Sequence, residues 1–290
     1  MKRCEHVDVF TSDESCIMTD IDIVVAWGIR ADQAERLNSV KWIQSTGAGV
    51  DRIIIHQWPA GAIVTRVRES ASIRDNVAAY VYIHMMSFCN PHHHYLEAAR
   101  RGAWEPKARR RPEDSQVCVV GIGMVGKAIA HELMSLGFSV VGVSRSGATV
   151  DSFSVSGVDH LLERVSSADA VVLAVPLTQE TRGMYDRTVL QAMANDSVLI
   201  NVSRGRVIVE EDLLNALEQP HGISQAILDV FDHEPLPGGH VYWTHSCVRV
   251  TPHVAGMAEP GEAIKEFCEN LERFLAGQPL LNAIDHERGY

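Results

Sequence analysis

Three glycines, Gly121, Gly123 and Gly126, stand in the spacing G-x-G-x-x-G between an apolar run, QVCVV, and an amphipathic stretch, GKAIAHELMSLG. The chemistry of that spacing is capture of a pyrophosphate. The first glycine permits a tight turn, the second lets main chain approach the phosphates, and the third lets helix and strand pack closely. Amides at the helix start, those of Met124 and Val125 among them, then face the anion. The next apolar run ends in VVGVSRS, residues 140 to 146. Here, about 20 residues on, an acidic residue would hold the ribose hydroxyls of NAD. Ser144, Arg145 and Ser146 occupy the place instead. A carboxylate would repel a 2′-phosphate, whereas an arginine between two hydroxyls attracts one through charge-assisted hydrogen bonds. The preferred cofactor is therefore NADPH/NADP, with NADH/NAD the lesser alternative.

Three further stretches each follow an apolar run: NVSRGRVIVEEDLL (201–214), LDVFDHEPLP (228–237) and TPHVAG (251–256). They supply an arginine (Arg204), a carboxylate (Glu234) and a histidine (His253). In open α/β sheets the carboxyl ends of strands line the ligand crevice, and imidazole exchanges protons near neutral pH.

The elements that must position these groups are legible as alternating short apolar runs and amphipathic stretches. Strands are expected over 116–121, 139–143, 170–175, 197–202, 226–230 and 248–252. Helices are expected in GKAIAHELMSLG, VDHLLERVSSA, TVLQAMA and VEEDLLNALEQ. In the last, Leu213, Leu214 and Leu217 share a face and Glu210, Glu211 and Asp212 crowd the first turn, where the helix dipole favours anions. The fold class is α/β, a Rossmann-type doubly wound parallel sheet. A second, smaller flavodoxin-like α/β unit precedes it, with IDIVVAW (21–27), ADQAERLN, KWIQSTGAG (41–49) and AIVTRV (62–67). A helical pattern from about Ile73 to Arg101 breaks at Asn90 and Pro91, because the residue before proline avoids helical geometry. The domain boundary is placed there. Residues 1–90 and 262–290 form a substrate domain and 91–261 the dinucleotide-binding domain, with a cleft between. The terminal helix, 261–277, is expected to return to the first unit.

A net charge of −11 disfavours nucleic acid as a partner. No run of about 18 apolar residues spans a bilayer and the start lacks a signal-peptide core, so the cytoplasm is the expected location. Six scattered cysteines without a C-x-x-C pair argue for reduced, mostly buried thiols. His92, His93 and His94 are adjacent and cannot all face one metal from a helix, so no metal site is assigned. KARRR (107–111) is read as a solvated connector.

Together the motifs resemble the D-isomer-specific 2-hydroxyacid dehydrogenases, most closely their glyoxylate/hydroxypyruvate reductase A type. The resemblance runs from about Thr19 to the end: STGAGVD (45–51), GIGMVG, AVPLTQETRGM (174–184), the three stretches above and the terminal RGY. It implies reduction of small 2-oxoacids, glyoxylate and hydroxypyruvate, to D-2-hydroxyacids. Arg204 would bind and polarise the substrate, and His253 would protonate the carbonyl oxygen as hydride arrives. Glu234 would hydrogen-bond the imidazole and favour its protonated form. Hydride addition builds charge on oxygen, which calls for a fixed cation and a proton donor.

By the same resemblance the amides of Ala48, Gly49 and Val50 grip the substrate carboxylate, while Trp27 and Trp243 form pocket walls. Val175, Pro176 and Thr178 contact the adenosine side, Val202 and Ser203 pass near the nicotinamide, and Asp229 binds its carboxamide. Family members pair through the nucleotide domain, which implies a homodimer. Departures are the short start, MKRCEHVDVFTSDES, which implies a reduced small domain, and Ala79 where many relatives carry glutamate. A 2-ketoacid reductase or phosphoglycerate dehydrogenase would use the same machinery. Nucleotide-sensing corepressors of this fold are a further class; they carry interaction tails, and the chain here ends soon after its last helix, favouring an enzyme.

Overall fold

The computed structural model describes residues 9, 20–54, 57–67, 71–147 and 152–285. Apart from Val9, the stretch MKRCEHVDVFTSDES lies outside the described residues, as does the terminal RGY. The chain divides into two compact units, Met1–Glu69 with Pro260–Tyr290, and Ser70–Glu259.

In the first unit, β1 (Ile23–Ala26), β2 (Trp42–Ser45) and β3 (Ile63–Thr65) form a parallel sheet in that order. Short helices α1 (Ala31–Ala34) and α2 (Asp51–Ile54) follow the first two strands. The central strand β2 is wholly buried. Its Trp42 stacks on Phe267 at 5.4 Å and lies 5.7 Å from Phe274, both on the terminal helix α9 (Pro260–Leu275). Buried Asn270 of that helix exchanges two hydrogen bonds with the main chain of Leu281, at 3.1 and 2.7 Å. The return of the last helix to this unit is thus fixed by aromatic burial and by a satisfied buried amide.

The second unit opens with α3 (Ala71–Cys89) and α4 (His92–Arg100), separated at Asn90 and Pro91 as the sequence requires. Ile73, Val77, Val81, Met85 and Cys89 recur at helical spacing on the buried face of α3. Although the sequence places this helix with the substrate domain, it packs along α5 (Met124–Ser135) of the second unit. The chain therefore enters that unit at Ser70, ahead of the Asn90–Pro91 break.

The sheet comprises β4 (Gln116–Val120), β5 (Ser139–Val143), β6 (Val155–Ser156), β7 (Ala170–Leu173), β8 (Val198–Asn201), β9 (Gln225–Leu228) and β10 (Val248–Val250). All pairs are parallel, in the order β10-β9-β8-β7-β4-β5-β6. Strands buried on both faces explain the continuous apolar runs. The chain order reverses between β4 and β7, the topological switch point of a doubly wound sheet. Edge strand β6, two residues long, is absent from the sequence reading because so short a segment has no period. Helices α6 (Leu161–Ser166), α7 (Arg187–Ala192) and α8 (Glu210–Leu217) complete the layers. Leu213 and Leu217 of α8 are buried and Leu214 packs beside them. Asp212 accepts from the main-chain N–H of Arg187 at 3.0 Å, joining α8 to α7.

Candidate active site

The glycine loop leaves β4 at the switch point. Gly121 adopts φ +101°, which favours glycine, and its N–H donates to the carbonyl of Val143 at 2.8 Å. A side chain on Gly121 would press on the Ala174 carbonyl, and one on Gly126 would fall on the Gly121 carbonyl. Gly123, which caps α5, differs: a Cβ there meets nothing within 4 Å. Main chain at Gly123 and exposed Met124 is open to an incoming group, while Val125 is half-buried and Gly126 buried. The loop fits a pyrophosphate at the start of α5.

Just past β5, Arg145 and Ser146 are exposed and Ser144 is half-buried, its hydroxyl accepting from the Gly147 N–H at 3.2 Å. Val175, Pro176 and Thr178 follow β7. Their turn is set by Thr181, whose hydroxyl donates to the Pro176 carbonyl at 2.6 Å and accepts from the Thr178 N–H at 2.8 Å.

Arg204, Glu234 and His253 leave the carboxyl ends of neighbouring strands β8, β9 and β10, where Asn201 pairs with Leu228 and Leu228 with Val250. Glu234 Oε2 lies 2.8 Å from His253 Nδ1, and Oε1 accepts from the Phe231 N–H at 2.9 Å. Their side chains are 10% and 25% exposed, so the pair is held at a partly dry surface. An ionised carboxylate only accepts, so Nδ1 carries its proton toward Glu234.

Arg204 is half-buried, with Nη1 donating to the Ser203 carbonyl at 2.7 Å. Its turn is knitted by buried Asn201, whose Nδ2 donates to the Arg204 carbonyl at 3.0 Å. Asn201 Oδ1 accepts from the N–H and hydroxyl of Ser203 at 3.0 and 2.7 Å. Val202 continues the β8 ladder, its N–H donating to the Leu173 carbonyl at 3.3 Å. Gly205 joins this turn to the Glu234 loop, since a Cβ there would overlap the main chain of Phe231 and Asp232. The Arg206–Asp232 ion pair spans the same junction.

Asp229, only 1% exposed, accepts at Oδ1 from the Thr251 hydroxyl (2.6 Å) and the Val254 N–H (2.9 Å), and at Oδ2 from the Ala255 N–H (2.9 Å). It thereby frames His253, a role the sequence reading missed. Asn201, Gly205 and Thr251 were missed as well. The available signal was N-x-S-R-G, an Asx-turn sequence.

In the first unit, Ser45 lies beneath the STGAGVD loop. Its hydroxyl is 3.0 Å from the Gly47 carbonyl and 2.9 Å from that of Gly49. Among the described residues none accepts from the N–H of Ala48, Gly49 or Val50, which suits these amides to an anion. Trp27 is 44% exposed with the Arg52 guanidinium 4.4 Å above its ring; the core tryptophan is Trp42 instead. Trp243 of the second unit is also exposed and donates from Nε1 to the Pro237 carbonyl at 2.8 Å.

The remaining features fall outside this arrangement. His92 is exposed, His93 lies 6.5 Å from the half-buried His84 ring, and His94 Nε2 sits 3.4 Å from Glu105. The histidine run is thus partly packed. Among the described residues no cluster of three His, Cys, Asp or Glu could hold a metal ion. Of the four cysteines described as free, Cys89 and Cys118 are buried, Cys247 is half-buried and Cys268 exposed. No described helix is long and apolar enough to cross a membrane.

Fold and site together define a nucleotide-dependent α/β dehydrogenase, and comparison with known proteins gives its class. A model of the D-isomer specific 2-hydroxyacid dehydrogenase NAD binding domain matches residues 82–255. The chain belongs to the D-isomer-specific 2-hydroxyacid dehydrogenase family and is an oxidoreductase. More particularly, it is 31% identical to the glyoxylate/hydroxypyruvate reductase A of Klebsiella pneumoniae, over 87% of this chain and 82% of that protein. Among solved structures, a D-isomer specific 2-hydroxyacid dehydrogenase from Xanthobacter autotrophicus Py2 in complex with NADPH and MES is 33% identical. Its TM-score is 0.84, with 94% of this chain and 86% of that one covered. An NADPH-dependent glyoxylate/hydroxypyruvate reductase from Sinorhizobium meliloti in complex with NADP and sulfate is 27% identical. Its TM-score is 0.87, with 96% and 89% covered.

Proposed function

We propose that the protein reduces small 2-oxoacids, glyoxylate and hydroxypyruvate foremost, to D-2-hydroxyacids with NADPH. The observation that carries this reading is the 2.8 Å Glu234–His253 pair beyond β10, beside the strand end that bears Arg204. The nicotinamide cofactor, when bound, supplies the hydride.

His253 delivers a proton from Nε2 to the carbonyl oxygen, and Glu234 holds the ring through its 2.8 Å bond to Nδ1. Arg204 binds the carboxylate and offsets charge that develops on the oxygen. Gly121, Gly123, Met124, Val125 and Gly126 hold the pyrophosphate. Ser144, Arg145 and Ser146 take the 2′-phosphate, and Val175, Pro176 and Thr178 contact the adenosine side. Val202 and Ser203 lie along the nicotinamide. With three donors already on its carboxylate, Asp229 has about one lone-pair direction left for a carboxamide N–H. Ala48, Gly49 and Val50 grip the substrate carboxylate through their amides, and Trp27 and Trp243 restrict substrate size.

A homodimer formed through the dinucleotide unit fits Trp104, 96% exposed in that unit. A large apolar side chain so placed is a common interface anchor. The net charge of −11 stands against nucleic acid as partner, and a cytoplasmic location completes the reading. His253→Gln tests the site: kcat with glyoxylate and NADPH should fall by about 10²–10⁴-fold, with NADPH affinity nearly intact. Equal loss of both would make His253 a structural residue.

A further inference from the structure

His253 has φ +54°, a left-handed conformation that costs a residue with a side chain energy. The surrounding bonds hold it there. Its N–H donates to the carbonyls of Asp229 (2.9 Å) and Thr251 (3.0 Å), and the next two amides end on the Asp229 carboxylate. Thr251 Oγ1 closes the frame on Asp229 at 2.6 Å and lies 2.7 Å from the Tyr80 hydroxyl on α3. Because the carboxylate only accepts, Thr251 donates to Asp229, and the remaining bond runs from the Tyr80 O–H to Thr251.

Tyr80 belongs to a series of polar residues at four-residue spacing on α3, Ser72, Asn76, Tyr80 and His84, which share a helix face. Ser72 accepts from the Glu259 N–H at 2.9 Å, and Asn76 donates to the Met257 carbonyl at 2.8 Å. Beside them Val77 packs on Gly256, where an added Cβ would come within 3.1 Å. Segment 251–259 therefore lies along α3, and Tyr80 meets it closest to His253.

We propose that Tyr80 is a positioning residue for His253, acting through Thr251 and Asp229. The proposal rests on the reading of His253 as proton donor. Burial pushes the Tyr80 phenol up to about 12; the Thr251 bond opposes this and the Asp229 charge adds to it, so the O–H persists at neutral pH.

The test compares Tyr80→Phe, Thr251→Val and Thr251→Ser with the unaltered protein. Tyr80→Phe and Thr251→Val should each lower kcat for glyoxylate about tenfold, with KM and NADPH affinity within about twofold. The primary deuterium isotope effect on kcat should rise, because a misplaced proton donor slows the chemical step. Thr251→Ser, which keeps the hydroxyl, should recover most of the rate. In the nucleotide-free protein, the Val254 and Ala255 amides should exchange with deuterium about tenfold faster in Tyr80→Phe, with β4 unchanged.

Exchange at the unaltered rate overturns the proposal, as does a kcat that falls only in step with NADPH affinity or not at all. An unaltered protein that turns over no 2-oxoacid would instead remove the functional reading, leaving the loop anchor to be decided by exchange alone.

Discussion

Arg145 stands two residues beyond β5, exposed beside a turn capped by the Ser144 hydroxyl. Its charge is the feature that separates NADPH from NADH in this account. Arg145→Asp should raise the KM for NADPH about 10- to 100-fold, the worth of charge-assisted bonds plus repulsion. The KM for NADH should change by less than about threefold, and steady-state kinetics with each nucleotide will show it. An unchanged ratio would leave Arg145 no part in the choice of nucleotide. At this scale the sequence was legible where two side chains were expected to meet, as with Glu234 and the His253 imidazole, which lie 2.8 Å apart. It was opaque where a side chain acts on nearby main chain. Asn201 bonds main chain three residues on and Asp229 main chain 25 residues on, ties that leave no period and depend on turns that only the fold sets.

Among the elements, the strands of the larger sheet were readable because burial on both faces makes their runs continuously apolar. The α3–α4 break was readable from Pro91. The packing partner of α3 was not, since an apolar helix face names no neighbour; α5 covers it. Nor does a sequence show which turns press together, as at the meeting of the β8 and β9 ends through Gly205. Gly205→Ala would force a methyl group into the main chain of Phe231 and Asp232. A stability loss of about 1–3 kcal/mol is expected from such overpacking, with a fall in kcat as the Arg204 turn shifts against Glu234. Denaturant unfolding and glyoxylate kinetics on one sample would check both, and a variant as stable and active as the parent would show that the junction yields freely.

For the molecule as a whole, the α/β class followed from the rhythm of apolar and amphipathic segments. The return of the last helix to the first unit followed only from a plausible topology, and Trp42, Phe267 and Asn270 supply its physical cause. Substrate choice is the least legible property, because neither a glycine loop nor a Glu–His pair names the side chain of the substrate. The most direct test of the central claim is a panel of 2-oxoacids assayed for initial rates with NADPH and NADH in parallel. Turnover of glyoxylate and hydroxypyruvate is expected, with kcat/KM for NADPH at least about tenfold above that for NADH. Tight NADPH binding with no turnover of any small 2-oxoacid would contradict it.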